Sequence, residues 1–60
     1  MYKIGDKIEF LKREEYDTVG SNIFGEVVGF YGMDLIILLE EPDKQGNRAG
    51  VYFKNLVKIA

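Results

Sequence analysis

Phe24-Gly25-Glu26-Val27-Val28-Gly29-Phe30-Tyr31 and, after the turn Gly32-Met33-Asp34, Leu35-Ile36-Ile37-Leu38-Leu39 form two strand-like runs with only a tight connection between them. β-Branched and aromatic residues fill the first run and branched aliphatics the second, a composition that suits extended backbone. The second run is the most apolar stretch of the chain and reads as its central strand. Alternation along it assigns Leu35, Ile37 and Leu39 to a core and turns Ile36 and Leu38 outward. In the first run, strict alternation would place Val27 and Phe30 on opposite faces. A bulge at Gly29 supplies the one extra residue that returns Phe30 to the face of Val27 and sharpens the bend of the strand.

Outward from this pair the pattern continues. Gly5-Asp6 opens Lys7-Ile8-Glu9-Phe10-Leu11, where Ile8 and Phe10 alternate with charged residues as in a half-buried strand. From Lys12 to Asn22 charged and turn-forming residues predict a long surface loop. The rival is one helical turn from Leu11 to Tyr16, which uses good helix formers but is too short to stand without tertiary support. Glu40 to Arg48 ends the central strand, since Pro42 cannot donate to a ladder. Gly50-Val51-Tyr52-Phe53 reads as the fourth strand, Lys54-Asn55 as a tight turn and Leu56-Val57-Lys58-Ile59 as the fifth. The expectation is an all-β chain, one domain over residues 1–60, folded as a small five-stranded antiparallel barrel with a long first loop and no internal repeat or linker.

Composition bounds the function. A 60-residue chain buries only about 60% of the surface its unfolded form exposes, so it holds one core. With no cysteine and no histidine, disulfides and the common metal sites are excluded, and packing or self-association carries stability. The net charge of −2 opposes a phosphate backbone. No stretch approaches the ~20 apolar residues of a membrane span, and Met1-Tyr2-Lys3 leads into a strand pattern instead of a signal peptide. A cytoplasmic protein with no membrane contact is expected, and Met1 favours a whole gene product over an excised domain.

The arrangement resembles the Src-homology-3-like barrel, on Gly5-Asp6-Lys7-Ile8, Gly25-Glu26-Val27 and Gly50-Val51-Tyr52-Phe53-Lys54-Asn55-Leu56-Val57. The last segment looks like the Gly-x-hydrophobic-Pro-Ser-Asn-Tyr-Val ending of the signalling domains, with Asn55 at the Asn, Phe53 at the Pro and Leu56 at the Tyr. Gly25-Glu26-Val27-Val28-Gly29-Phe30 is similar to the core of the KOW motif of ribosomal and transcription-elongation proteins. The opening residues and Arg13-Glu14-Glu15-Tyr16 resemble the small stromal accessory subunit of photosystem I. These resemblances imply a small barrel that works by binding, and such a barrel hosts many activities.

Candidate chemistry is sparse. Acid–base or nucleophilic catalysis needs an oriented base that the composition does not offer, and adjacent carboxylates at Glu14-Glu15 and Glu40-Glu41 diverge on extended backbone. Glu41-Pro42-Asp43-Lys44-Gln45-Gly46 imitates a calcium loop, yet Tyr52 stands where its bidentate Glu belongs. No metal and no cofactor is implied. Nucleic acid could be stacked by Tyr16, Tyr31, Tyr52 and Phe53, but the basic residues are interleaved with acids, and a basic patch requires the fold to gather Lys12, Arg13, Lys54 and Lys58. A polyproline groove lacks its paired tryptophans, although Glu14, Glu15 and Asp17 beside Tyr16 resemble the acidic loop that meets a basic ligand residue. Outward Ile36 and Leu38 want a cover: the first loop, a second copy, or another partner. The expected function is a non-enzymatic protein–protein interaction module, with a nucleic-acid-binding barrel as the alternative. The expected protein-binding residues are Arg13, Glu14, Glu15, Tyr16, Asp17, Tyr31, Ile36, Leu38 and Phe53, aromatic and aliphatic anchors with charges at the rim.

Overall fold

The structure is a computed structural model that describes residues 1–11 and 19–60; the charged loop and the rival helical turn expected over 12–18 lie outside the described residues. Five strands, β1 (Lys7–Phe10), β2 (Phe24–Tyr31), β3 (Asp34–Leu39), β4 (Ala49–Tyr52) and β5 (Val57–Ile59), form one antiparallel sheet in the order β4-β3-β2-β1-β5. The chain is therefore all-β, as its alternation predicts. Among the described residues no helix is long and apolar enough to cross a membrane.

Alternation selects the core. Ile8 and Phe10 of β1, Val27 of β2, Leu35, Ile37 and Leu39 of β3, Tyr52 of β4 and Val57 of β5 are buried together with Val19. The sheet cannot be flat. β4 and β1 are separated by two strands, which would hold them about 14 Å apart in a planar sheet. Yet the rings of Phe10 and Tyr52 meet edge to face with centroids 5.0 Å apart. The sheet curls until its far strands touch across the core.

Two glycines in β2 permit that curl. Val27 pairs with Ile37 and Gly29 with Ile36, so Val28 is the extra residue of a bulge. Beyond it Phe30 pairs with Leu35, on the core face as the sequence predicts, although at the hairpin end it keeps 46% exposure. Gly25 sits where a Cβ would lie 2.5 Å from Ile37 Cγ2 and 3.0 Å from the Leu38 carbonyl oxygen, a close approach that only glycine allows.

The connections depart from expectation in detail. β1 stops at Phe10, β4 begins one residue early, and β5 starts at Val57 because Lys54–Leu56 winds into a 3-10 turn where two turn residues are expected. The Leu56 amide donates back to the Phe53 carbonyl at 3.1 Å, which closes that turn. In the β3–β4 connection the Asp43 carboxylate accepts from the Gln45 and Asn47 amides, each at 2.9 Å. Near the N-terminus the Tyr2 hydroxyl donates to the Val57 carbonyl at 3.0 Å, fastening the first residues to β5.

Candidate interaction surface

The register assembles the outward face strand by strand. Ile36 on β3 pairs directly with Val51 on β4, and Leu38 pairs with Ala49. Side chains so opposed lie close enough to form one surface. Ile36 is half-buried, while Leu38 and Val51 are 38% and 49% exposed. At the hairpin end Tyr31 pairs with Asp34, and Phe53 follows Tyr52 with its backbone still extended at φ −72°, ψ 144°. Tyr31 and Phe53 are both more than half exposed. The structure thus places Tyr31, Ile36, Leu38 and Phe53 on the β2–β3–β4 side of the molecule. Arg13, Glu14, Glu15, Tyr16 and Asp17 lie outside the described residues.

Sequence reasoning missed part of this surface. Val51 and Ala49 complete it, and the signal was present: with Tyr52 inside, alternation along β4 turns Val51 outward. A second omission is Asn22, read as a loop residue but 3% exposed. Its side-chain amide donates to the Val19 and Glu41 carbonyls at 2.8 and 3.0 Å, and its carbonyl oxygen accepts from the Glu41 amide at 2.9 Å. It bolts the end of the first loop to the β3–β4 connection, a partner 19 residues away that no local pattern announces.

Beside the apolar strip, Lys7, Glu26, Glu40 and Arg48, with Leu38, Leu39, Gly5 and Gly25, line an open cavity of about 310 Å3. Its charges balance. Lys7 Nζ lies 3.8 Å from Glu40 Oε2, and Arg48 Nε donates to the Leu39 carbonyl at 3.1 Å. Further along the same face of β1, Glu9 pairs with Lys58 of β5 at 3.7 Å. Of the residues a basic patch would need, Lys12 and Arg13 lie outside the described segment and Lys58 is engaged by an acid.

The loop resembling a calcium site is organised by its own backbone, with the Asp43 carboxylate committed to amide donors. Among the described residues no three His, Cys, Asp or Glu side chains gather closely enough to hold a metal ion. One group has a displaced proton affinity: burial, and then the negative charge of Asp43, push the Tyr52 hydroxyl above its ordinary value of 10.0. Compared with family models, curated proteins and solved structures, the chain matches none.

Proposed function

We propose that this domain is a non-enzymatic protein-interaction module of Src-homology-3-like barrel architecture, acting in the cytoplasm. The curled antiparallel sheet, in which Phe10 and Tyr52 of strands far apart in the order meet across the core, supports the architectural part of this reading. The observation that carries the functional part is the outward apolar strip of Ile36, Leu38 and Val51 on adjacent strands, extended by Tyr31 and Phe53. Contiguous apolar surface on a small domain marks a contact site more often than scattered residues do. Anchoring there would follow ordinary interface physics: aliphatic and aromatic side chains desolvate at the centre, with Lys7, Glu26, Glu40 and Arg48 at the rim.

The test is capture by the immobilised domain from an extract of its host, treated with nuclease and washed at high salt. A protein partner should remain bound, and Leu38→Glu should weaken its retention about tenfold or more by placing a charge inside a desolvated contact. Retention that vanishes with nuclease or with rising ionic strength would overturn this reading in favour of nucleic-acid binding, whose phosphate contacts are salt-sensitive.

A further inference from the structure

β4 and β5 are the two edges of the sheet, and they are finished differently. β5 is three residues long, carries Lys58 at its centre, and has its Val57 carbonyl occupied by the Tyr2 hydroxyl. Short length, a lysine and a covering group are the usual protections of an edge against pairing with another chain. β4, one residue longer, lacks the lysine and, among the described residues, a covering strand. Its residues, Ala49-Gly50-Val51-Tyr52, include no charge and no proline.

The ladder determines which backbone groups that edge presents. The Leu39 amide donates to the Arg48 carbonyl at 2.7 Å, so residues 39 and 48 are a hydrogen-bonded pair. Such pairs alternate along an antiparallel ladder. By the observed register, Gly50 and Tyr52 therefore bond to Ile37 and Leu35, and the amides and carbonyls of Ala49 and Val51 turn away from β3.

We infer that β4 pairs antiparallel with β4 of a second copy of this chain, about a two-fold axis at Val51. The inference rests on the reading of the domain as an interaction module and names its partner. The sequence of the edge is complementary to itself in that register. Val51 faces Val51 of the second copy on the outer face, and on either side of it Ala49 faces Phe53, a small residue against a large one. On the inner face Gly50 stands opposite Tyr52. Ala49, Val51 and Phe53 are all exposed in the single chain, and Phe53 keeps extended backbone, so the ladder runs one residue past the strand. Lys54 has already entered the 3-10 turn, which ends the ladder before Arg48 would face it. The same pairing sets the two Ile36–Leu38–Val51 strips side by side on one continuous sheet, and a two-fold contact of this kind closes on itself without growing into a fibre.

The experiment is sedimentation equilibrium of the full chain over a wide range of loading, with two variants. The unaltered chain should show a monomer–dimer equilibrium. Val51→Lys, which opposes two like charges at the axis, should weaken it at least tenfold with unchanged far-ultraviolet circular dichroism. Val51→Cys, in a chain that otherwise has no cysteine, should form a disulfide-linked dimer under mild oxidation. Directly paired Cα atoms lie about 5.5 Å apart, within disulfide reach. Glu26→Cys, on the exposed face of β2, should not cross-link. A monomer at every loading, or a dimer indifferent to Val51→Lys, overturns the inference. Neither result touches the capture of a different protein through Leu38, so the two readings fail separately.

Discussion

Gly25 shows how much one position can require. It pairs with Ile8 on one side and Leu39 on the other, inside the sheet and against the core. A methyl group there would strike Ile37 Cγ2 and press on the Leu38 carbonyl. Gly25→Ala should destabilise the domain by about 3 kcal/mol, the upper end of ordinary overpacking, read as a lowered urea midpoint. Ile37→Leu moves the branch away from that contact and should recover part of the loss in a double-mutant cycle. Additivity of the two substitutions would show that the close approach is not the cause. From sequence alone Gly25 looked like part of a strand opening and Gly29 like a bulge. The second reading was available because it rests on a face mismatch between Val27 and Phe30, whereas the crowding at Gly25 depends on which strand packs beside it.

Between elements, the decisive link is Asn22, which satisfies Val19 and Glu41 at once. Asn22→Ala leaves the Glu41 amide and carbonyl without that partner, while the Val19 carbonyl keeps the backbone amide of residue 22 at 3.2 Å, and should cost about 3 kcal/mol. Asn22→Asp should be at least as harmful, since it replaces two donated hydrogen bonds by a buried charge facing carbonyl oxygens. Thermal unfolding of both variants checks this, and an aspartate milder than alanine would contradict the assigned geometry. The strands themselves were legible because burial imposes alternation: Ile8 and Phe10, then Leu35, Ile37 and Leu39, point where a period of two puts them. Their ends were less so. The 3-10 turn at Lys54–Leu56 and the inclusion of Ala49 in β4 depend on hydrogen-bond partners that no residue type specifies. The outward strip was half legible: Ile36 and Leu38 followed from alternation on one strand, while Val51 and Ala49 joined them only once the register of β4 was known.

At the scale of the whole molecule a domain of this size has only about 3–9 kcal/mol of stability to lose, so a single buried ionisable group matters. Tyr52 is that group. Its folded pKa lies above the unfolded value, so the neutral hydroxyl is favoured by folding. The associated stability is complete below pH 10.0 and is lost as pH rises through the raised folded value. Titration followed by tyrosinate absorbance should show one of the four tyrosines ionising late and together with unfolding, and Tyr52→Phe should abolish that component. Four tyrosines ionising as one class would contradict the burial assigned to Tyr52. All-β architecture follows from short alternating runs joined by turns, but the pairing of β5 with β1 and the curl that brings Phe10 to Tyr52 are properties of the assembled sheet.

The Tyr2 hydroxyl rests on β5, and the Ala60 amide donates to the Lys7 carbonyl at 2.9 Å. Tyr2 and Ala60 consequently both rest against the β1–β5 pair. A few added residues could splice them into a ring, and the hairpin at Gly32-Met33 could be cut to give the chain a new beginning without breaking any ladder. The same anchoring would let the unit be stitched into a surface bend of a larger protein, both seams falling beside the β1–β5 pair.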